Sequence, residues 1–287
     1  MAPFVLVVLG TMAVGFVALL YPVFVSPTER DVAWIAGVDV VPGDEAAVYH
    51  RYLDRHRRHR LTGGIFGGAL AVVVGIRFYG NIQLIGAGEQ TSPLGDVFFC
   101  VLAGVVVGAL LAETYRLGEE RERPRAASLA PRGSIELPRV VRGARVLGAV
   151  TLVWGLGVGV LAGHWGPLGV AILGGVIALV AEATRHAVTN RRRPATSTRA
   201  LHVDSRIRAF AGRSVSWLEL AVATLTATWV LSLTPVPAAL DEGARTGVEG
   251  VQVVLVLAGL VASVVLLRRA TPRPPRHVAA AQIVEPA

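Results

Sequence analysis

The chain has 287 residues, of which 53% are hydrophobic and only 17% charged, with a formal net charge of +8 and a mean hydropathy of +0.56. A soluble protein of this length carries charge on about a quarter of its residues, so much of this surface must meet lipid. All 28 strongly basic residues are arginine and Cys100 is the single cysteine, which excludes a lysine-dependent phosphate loop and any disulfide within the chain.

A helix needs about 20 mostly apolar residues to cross a bilayer core of about 30 Å. Seven stretches reach that range with their flanks: 4–25, 62–79, 94–114, 146–163, 168–183, 216–233 and 248–267. They are continuously apolar, whereas barrel strands would alternate over about ten residues. The expected fold is therefore all-α, a multi-pass transmembrane helical bundle of about seven spans. Residues 1–25 lack a basic leader and a small-residue cleavage site, so they read as an N-terminal membrane anchor helix.

Residues 26–61 read as a cytoplasmic segment with an amphipathic basic helix. Pro42-Gly43-Asp44-Glu45 is a turn and helix start, with Asp44 as N-cap. The stretch EAAVYHRYLDRHRRHR that follows either lies on the inner leaflet or runs directly into the second span. Residues 62–267 form a six-helix membrane bundle of three hairpins, with arginine-rich cytoplasmic loops at 116–145 and 185–213. Residues 268–287 hold four prolines and few apolar anchors and read as a disordered cytoplasmic tail.

The arginines orient this arrangement. Six fall in 26–61, eight in 116–145, eight in 185–213 and four after Leu267, leaving only Arg77 and Arg245 elsewhere. Seven spans put those four regions on one face, and the positive-inside rule makes that face cytoplasmic. The N-terminus is then outside, the C-terminus cytoplasmic, and the expected location the cell (inner) membrane.

Two segments match at an offset of 69, LLAETYR at Leu110 and LVAEATR at Leu179, each followed by a basic run. A duplication explains the match, and so does the common tendency of a helix to end in charge where it leaves the bilayer. Glu113, Glu182 and Glu219 fall at similar depth near the cytoplasmic interface. As a functional layer, with Arg116 and Arg185, they would carry protons or hold a cationic substrate. The structural reading has Glu113 and Glu182 balance Arg116 and Arg185 at i,i+3, and it is the favoured one. On the outer side Arg77 can snorkel to water, with Asp96 and Glu249 as candidate partners.

Small-xxx-small spacing lets helix backbones approach closely in lipid. Gly64 and Gly68, Gly104 and Gly108, and Gly155, Gly159 and Gly163 have that spacing and are expected at helix–helix contacts. Gly157, Gly159 and Ala162 imitate a dinucleotide fingerprint, but inside an apolar span no strand precedes them and no phosphate can reach them. The seven histidines form no metal-ligand spacing, and no serine has a nucleophile-elbow setting. Catalytic, cofactor-binding and metal sites are accordingly read as none.

The leading expectation is a non-enzymatic membrane component or subunit that presents its arginines to anionic lipid headgroups or to a partner protein. The alternatives are a small-molecule or proton-coupled transporter using the three glutamates, and a membrane-embedded enzyme. Nucleic acid is not expected, because the basic residues are divided among juxtamembrane segments without aromatic interleaving.

Overall fold

The computed structural model describes residues 27–38, 40–79, 93–118, 138–190, 198–237 and 239–272. Among them the regular structure is entirely helical: α1 (Glu29–Ala36), α2 (Gly43–Tyr79), α3 (Pro93–Gly118), α4 (Pro138–Ala162), α5 (Gly166–Asn190), α6 (Thr198–Ser232) and α7 (Glu242–Arg269). The expected anchor at 1–25 and the tail from residue 273 onward lie outside the described residues.

The helix α1 was not anticipated. It begins with a capping box, in which the Thr28 hydroxyl accepts from the Asp31 amide and the Asp31 carboxylate accepts from the Thr28 amide. It ends at Gly37, whose φ of 69° is the left-handed conformation that glycine adopts without penalty. A side chain there would also strike the Arg206 guanidinium, since a Cβ would lie 2.7 Å from Nη1.

The basic stretch and the second apolar stretch form one helix, α2, so the chain runs straight from one into the other. At 37 residues α2 is about 55 Å long, and the 35 residues of α6 reach about 52 Å. Both are far longer than a bilayer core of about 30 Å. Their arginine-bearing N-terminal halves pack together with α1 around Val32, Ile35, Tyr49, Leu53, Ile207 and Phe210. Residues 138–145, 185–190 and 198–213, expected as parts of loops, are instead extensions of α4, α5 and α6.

A second, larger core joins α3, α5, α6 and α7. Leu102, Leu110, Leu218 and Leu260 are buried there, and the Phe99 and Trp229 rings stack at 5.2 Å. Helix α6 is the hub, in contact with α3, α4, α5 and α7. By contrast α4, α5 and α7 turn large apolar side chains outward, among them Val153, Leu161, Leu179 and Val254. A continuous apolar exterior is unfavourable in water at about 25 cal/mol per Å² and is the expected exterior in lipid. Five helices, α3 to α7, are long and apolar enough to cross a membrane.

Helices α2 and α3 meet along glycine. A Cβ on Gly63 would overlap the Gly104 carbonyl, one on Gly104 the Gly63 carbonyl, one on Gly67 the Cys100 carbonyl, and one on Gly108 the His59 carbonyl. The backbones therefore touch over two turns. Gly64 and Gly68 flank this seam and face side chains rather than backbone, with Val105 Cγ2 at 2.9 Å and Val101 Cγ2 at 3.0 Å from their hypothetical Cβ atoms. Further round the bundle Gly155 lies against Leu168 and Pro167, and Gly159 against the Trp165 ring. Gly163, expected on the same ridge, has φ 71°, follows the end of α4 and has no neighbour within 4 Å of a Cβ position. Its part is to turn the chain into α5. Two contacts had no sequence signal: Gly174 of α5 and Gly259 of α7 receive Thr226 and Thr228 from opposite sides of α6.

Candidate functional site: buried polar groups at the arginine-rich end

Tyr49, Tyr52, Leu53, His56 and Arg60 fall at spacings of three, one, three and four, the signature of one helical face. That face of α2 is buried against the rest of the molecule. Where it meets α3, Glu113 is only 2% exposed. Its Oε1 accepts a hydrogen bond from the Tyr52 hydroxyl, and His56 Nε2 lies 2.6 Å from the same oxygen. In the Nε2–H tautomer the neutral ring donates this bond, and no positive charge on His56 is required. Burial lowers the His56 pKa below its ordinary value, and attraction to Glu113 only partly opposes that shift. The Phe210 ring packs edge-on against both Tyr52 and His56 and closes the site from α6.

One turn on, Arg60 reaches the far end of the chain. Its Nη2 donates to the Ala270 carbonyl at 3.1 Å, and the Ser214 hydroxyl donates to the same oxygen at 2.7 Å. Burial lowers the Arg60 pKa to about 10, which leaves it charged at neutral pH. A charged donor thus satisfies a carbonyl beyond the last turn of α7 that no helical amide reaches. Residues 268–272, expected in a disordered tail, are fixed by this contact, with Arg268 and Arg269 in the helix and Ala270 buried. Outside the bundle Asp31 pairs with Arg57 at 2.8 Å, and Arg213 lies over the Trp34 ring at 5.9 Å.

A separate charged group joins α4, α5 and α6. Glu182 Oε1 pairs with Arg145 at 2.7 Å and also with Arg185, and Arg185 Nε lies 3.9 Å from Glu219 Oε2. Arg145, Glu182 and Glu219 line a cavity of about 500 Å³ whose remaining walls are largely apolar, including Leu152, Ile172 and Ala223. Glu113 is not among its lining residues. The three glutamates of the expected layer therefore fall into two environments. Glu113 and Glu182 correspond at the offset of 69, and among the described contacts Glu113 meets a phenol and an imidazole while Glu182 meets two guanidinium groups.

Arg116 lies near the end of α3, and Arg77 and Asp96 on α2 and α3, with their side chains outside the described residues. Glu249 pairs with Arg245 at 3.0 Å along α7. Among the described residues no cluster of three histidine, cysteine or acidic side chains is placed to hold a metal ion.

No protein-family model matches the chain, and no curated protein or solved structure matches it. The class rests on the molecule alone: an all-helical chain with five helices long and apolar enough to cross a membrane, the makeup of a multi-pass membrane protein.

Proposed function

We propose that this chain is a seven-span protein of the cell (inner) membrane, with its N-terminus outside and its C-terminus cytoplasmic. It acts as a non-enzymatic component that presents a folded, arginine-rich platform to anionic headgroups or a cytoplasmic partner. One observation carries the reading: the basic halves of α2 and α6 do not trail as loops but share a core with α1. That platform is tied to the bundle through Glu113 and the Ala270 carbonyl. Arg30, Arg51, Arg58 and Arg206 stand exposed on it. A rigid basic surface loses little conformational freedom on binding, which favours recognition over mere orientation of the chain. Each arginine near an anionic leaflet adds about 1 kcal/mol of attraction.

The two additional spans are 4–25 and 62–79. The second coincides with the C-terminal half of α2, which carries the glycine seam against α3. A shared end for α1, the N-terminal halves of α2 and α6, and the C-terminal end of α7 supports the orientation read from the arginines.

The test is charge reversal at Arg51, Arg58 and Arg206 together, all exposed and remote from Glu113 in bonding terms. In nanodiscs of mixed lipid the wild type should retain more anionic lipid than this variant. If the target is a protein, in-cell crosslinks to one cytoplasmic partner should disappear in the variant. Identical lipid retention and identical crosslinks would overturn the reading. The transporter reading draws on one observation, the cavity shared by Glu182 and Glu219. It would require flux that Glu182→Gln abolishes with folding intact.

A further inference from the structure

Glu219 is a carboxylate in an unusual position. Its side chain is only 4% exposed, yet among the described residues no hydrogen bond reaches its Oε2, which faces Arg185 Nε as an ion pair at the long distance of 3.9 Å. Glu182 Oε2 is likewise buried without a hydrogen-bond partner. Buried carboxylates in folded proteins are nearly always hydrogen-bonded, so a pair left short of donors marks a place where a donor group belongs. Both residues line the same cavity, which lies between α4, α5 and α6 and has about 500 Å³ of space, within the usual range of about 300–1,000 Å³ for ligand sites.

The cavity is polarised along its length. Arg145, Glu182 and Glu219 mark its charged end, at the arginine-rich end of the bundle, while Leu152 lies seven residues further along α4, about 10 Å into the apolar region. Two guanidinium and two carboxyl groups meet there, so basic and acidic groups are formally matched. An occupant that adds only positive or only negative charge would disturb that balance. Arg145 is 61% exposed at its side chain and has further N–H groups beyond the one bonded to Glu182.

We propose that this groove binds an aminophospholipid from the surrounding leaflet. The primary ammonium donates to Glu219 and Glu182, the phosphate accepts from Arg145, and an acyl chain runs along the apolar walls toward Leu152. A zwitterion of this kind meets the donor deficit and leaves the net charge unchanged. The carboxylate of Glu219 can turn about its last torsion to present either oxygen, since that torsion is broad and roughly two-fold. This inference goes beyond the platform function and depends only on the bundle.

Native mass spectrometry of the detergent-purified full chain tests it, with phosphatidylethanolamine, phosphatidylcholine and phosphatidylglycerol of identical acyl chains. Phosphatidylcholine keeps the phosphate and the positive charge but has no N–H donor. The ethanolamine lipid should therefore bind at least about tenfold more tightly, a factor equal to 1.4 kcal/mol. Gly175→Leu should abolish this preference, because Gly175 lines the groove and a Cβ there meets nothing within 4 Å. Glu219→Gln should reduce it. Equal binding of the ethanolamine and choline lipids overturns the proposal. Tighter binding of the glycerol lipid overturns it in favour of an anion site at Arg145. A preference that survives Gly175→Leu overturns the location.

Discussion

Replacing Glu113 with alanine should be among the most damaging single changes in the molecule. The side chain is 2% exposed, and its Oε1 receives both the Tyr52 hydroxyl and His56 Nε2. Alanine leaves two buried donors without this acceptor. Each such loss costs about 1–3 kcal/mol, and removing one partner from a buried charged network typically costs about 3–5 kcal/mol in total. A destabilisation of about 3–5 kcal/mol is therefore expected for Glu113→Ala. Tyr52→Phe removes a single donor to a charged acceptor and should cost about 1.5–3 kcal/mol. Arg145→Ala provides the contrast. Its side chain is 61% exposed beside Glu182, so screening should hold the loss to about 0–1 kcal/mol. Reversible unfolding in mixed micelles of increasing denaturing detergent measures all three. A cycle of Tyr52→Phe and Glu113→Gln should return a coupling above about 1 kcal/mol. If Glu113→Ala proves no more harmful than Arg145→Ala, Glu113 is a screened interface charge and its bonds to Tyr52 and His56 do not hold α2 against α3.

The glycine seam predicts opposite outcomes for one chemical change. Gly104→Ala drives a methyl into the Gly63 carbonyl and should destabilise by about 1–3 kcal/mol. Gly157→Ala meets nothing within 4 Å and should be neutral or stabilising by up to about 1 kcal/mol; equal effects in thermal unfolding would refute the close approach of α2 and α3. For pH, burial keeps the His56 pKa below its ordinary value, so the unfolded chain takes up this proton first as pH falls through about 6.5. Stability from this group is therefore full above that value and declines below it. Unfolding measured from about pH 5 to pH 8 should show less acid sensitivity in His56→Gln than in the wild type, and identical profiles would remove His56 as the cause.

Hydropathy made the helices from α3 onward legible, because a lipid-facing helix must be apolar along its whole length whatever it packs against. Their ends were less legible. Arginine marks departure from the bilayer, but it is also a good helix former, so α4, α5 and α6 extend into residues that read as loop. The short helix α1 carries no span-length signal; only Thr28 and Asp31, spaced as a capping box, announce it. Glu113 stood out as an acid near a span end, and Arg116 was the nearest partner in sequence. The Tyr52 and His56 groups that meet Glu113 are 61 and 57 residues away, which no local pattern reveals. The face of α2 from Tyr49 to Arg60 held a usable clue, since polar residues at helical spacing among leucine and tyrosine mark a buried stripe. The glycines resisted a sequence reading for another reason. Gly63–Gly64 and Gly67–Gly68 offer two registers, and which of them meets backbone depends on the rotation of α2 against α3.

The central claim, that the basic platform faces the cytoplasm, is tested most directly by cysteine accessibility in intact cells. In a Cys100→Ala background, a membrane-impermeant maleimide should label Gly243→Cys, exposed near the start of α7, and Gln90→Cys between α2 and α3. It should label Ser205→Cys, exposed on the platform, and Ser128→Cys only after the membrane is opened. Labelling of Ser205→Cys from outside, with Gly243→Cys protected, would contradict the account.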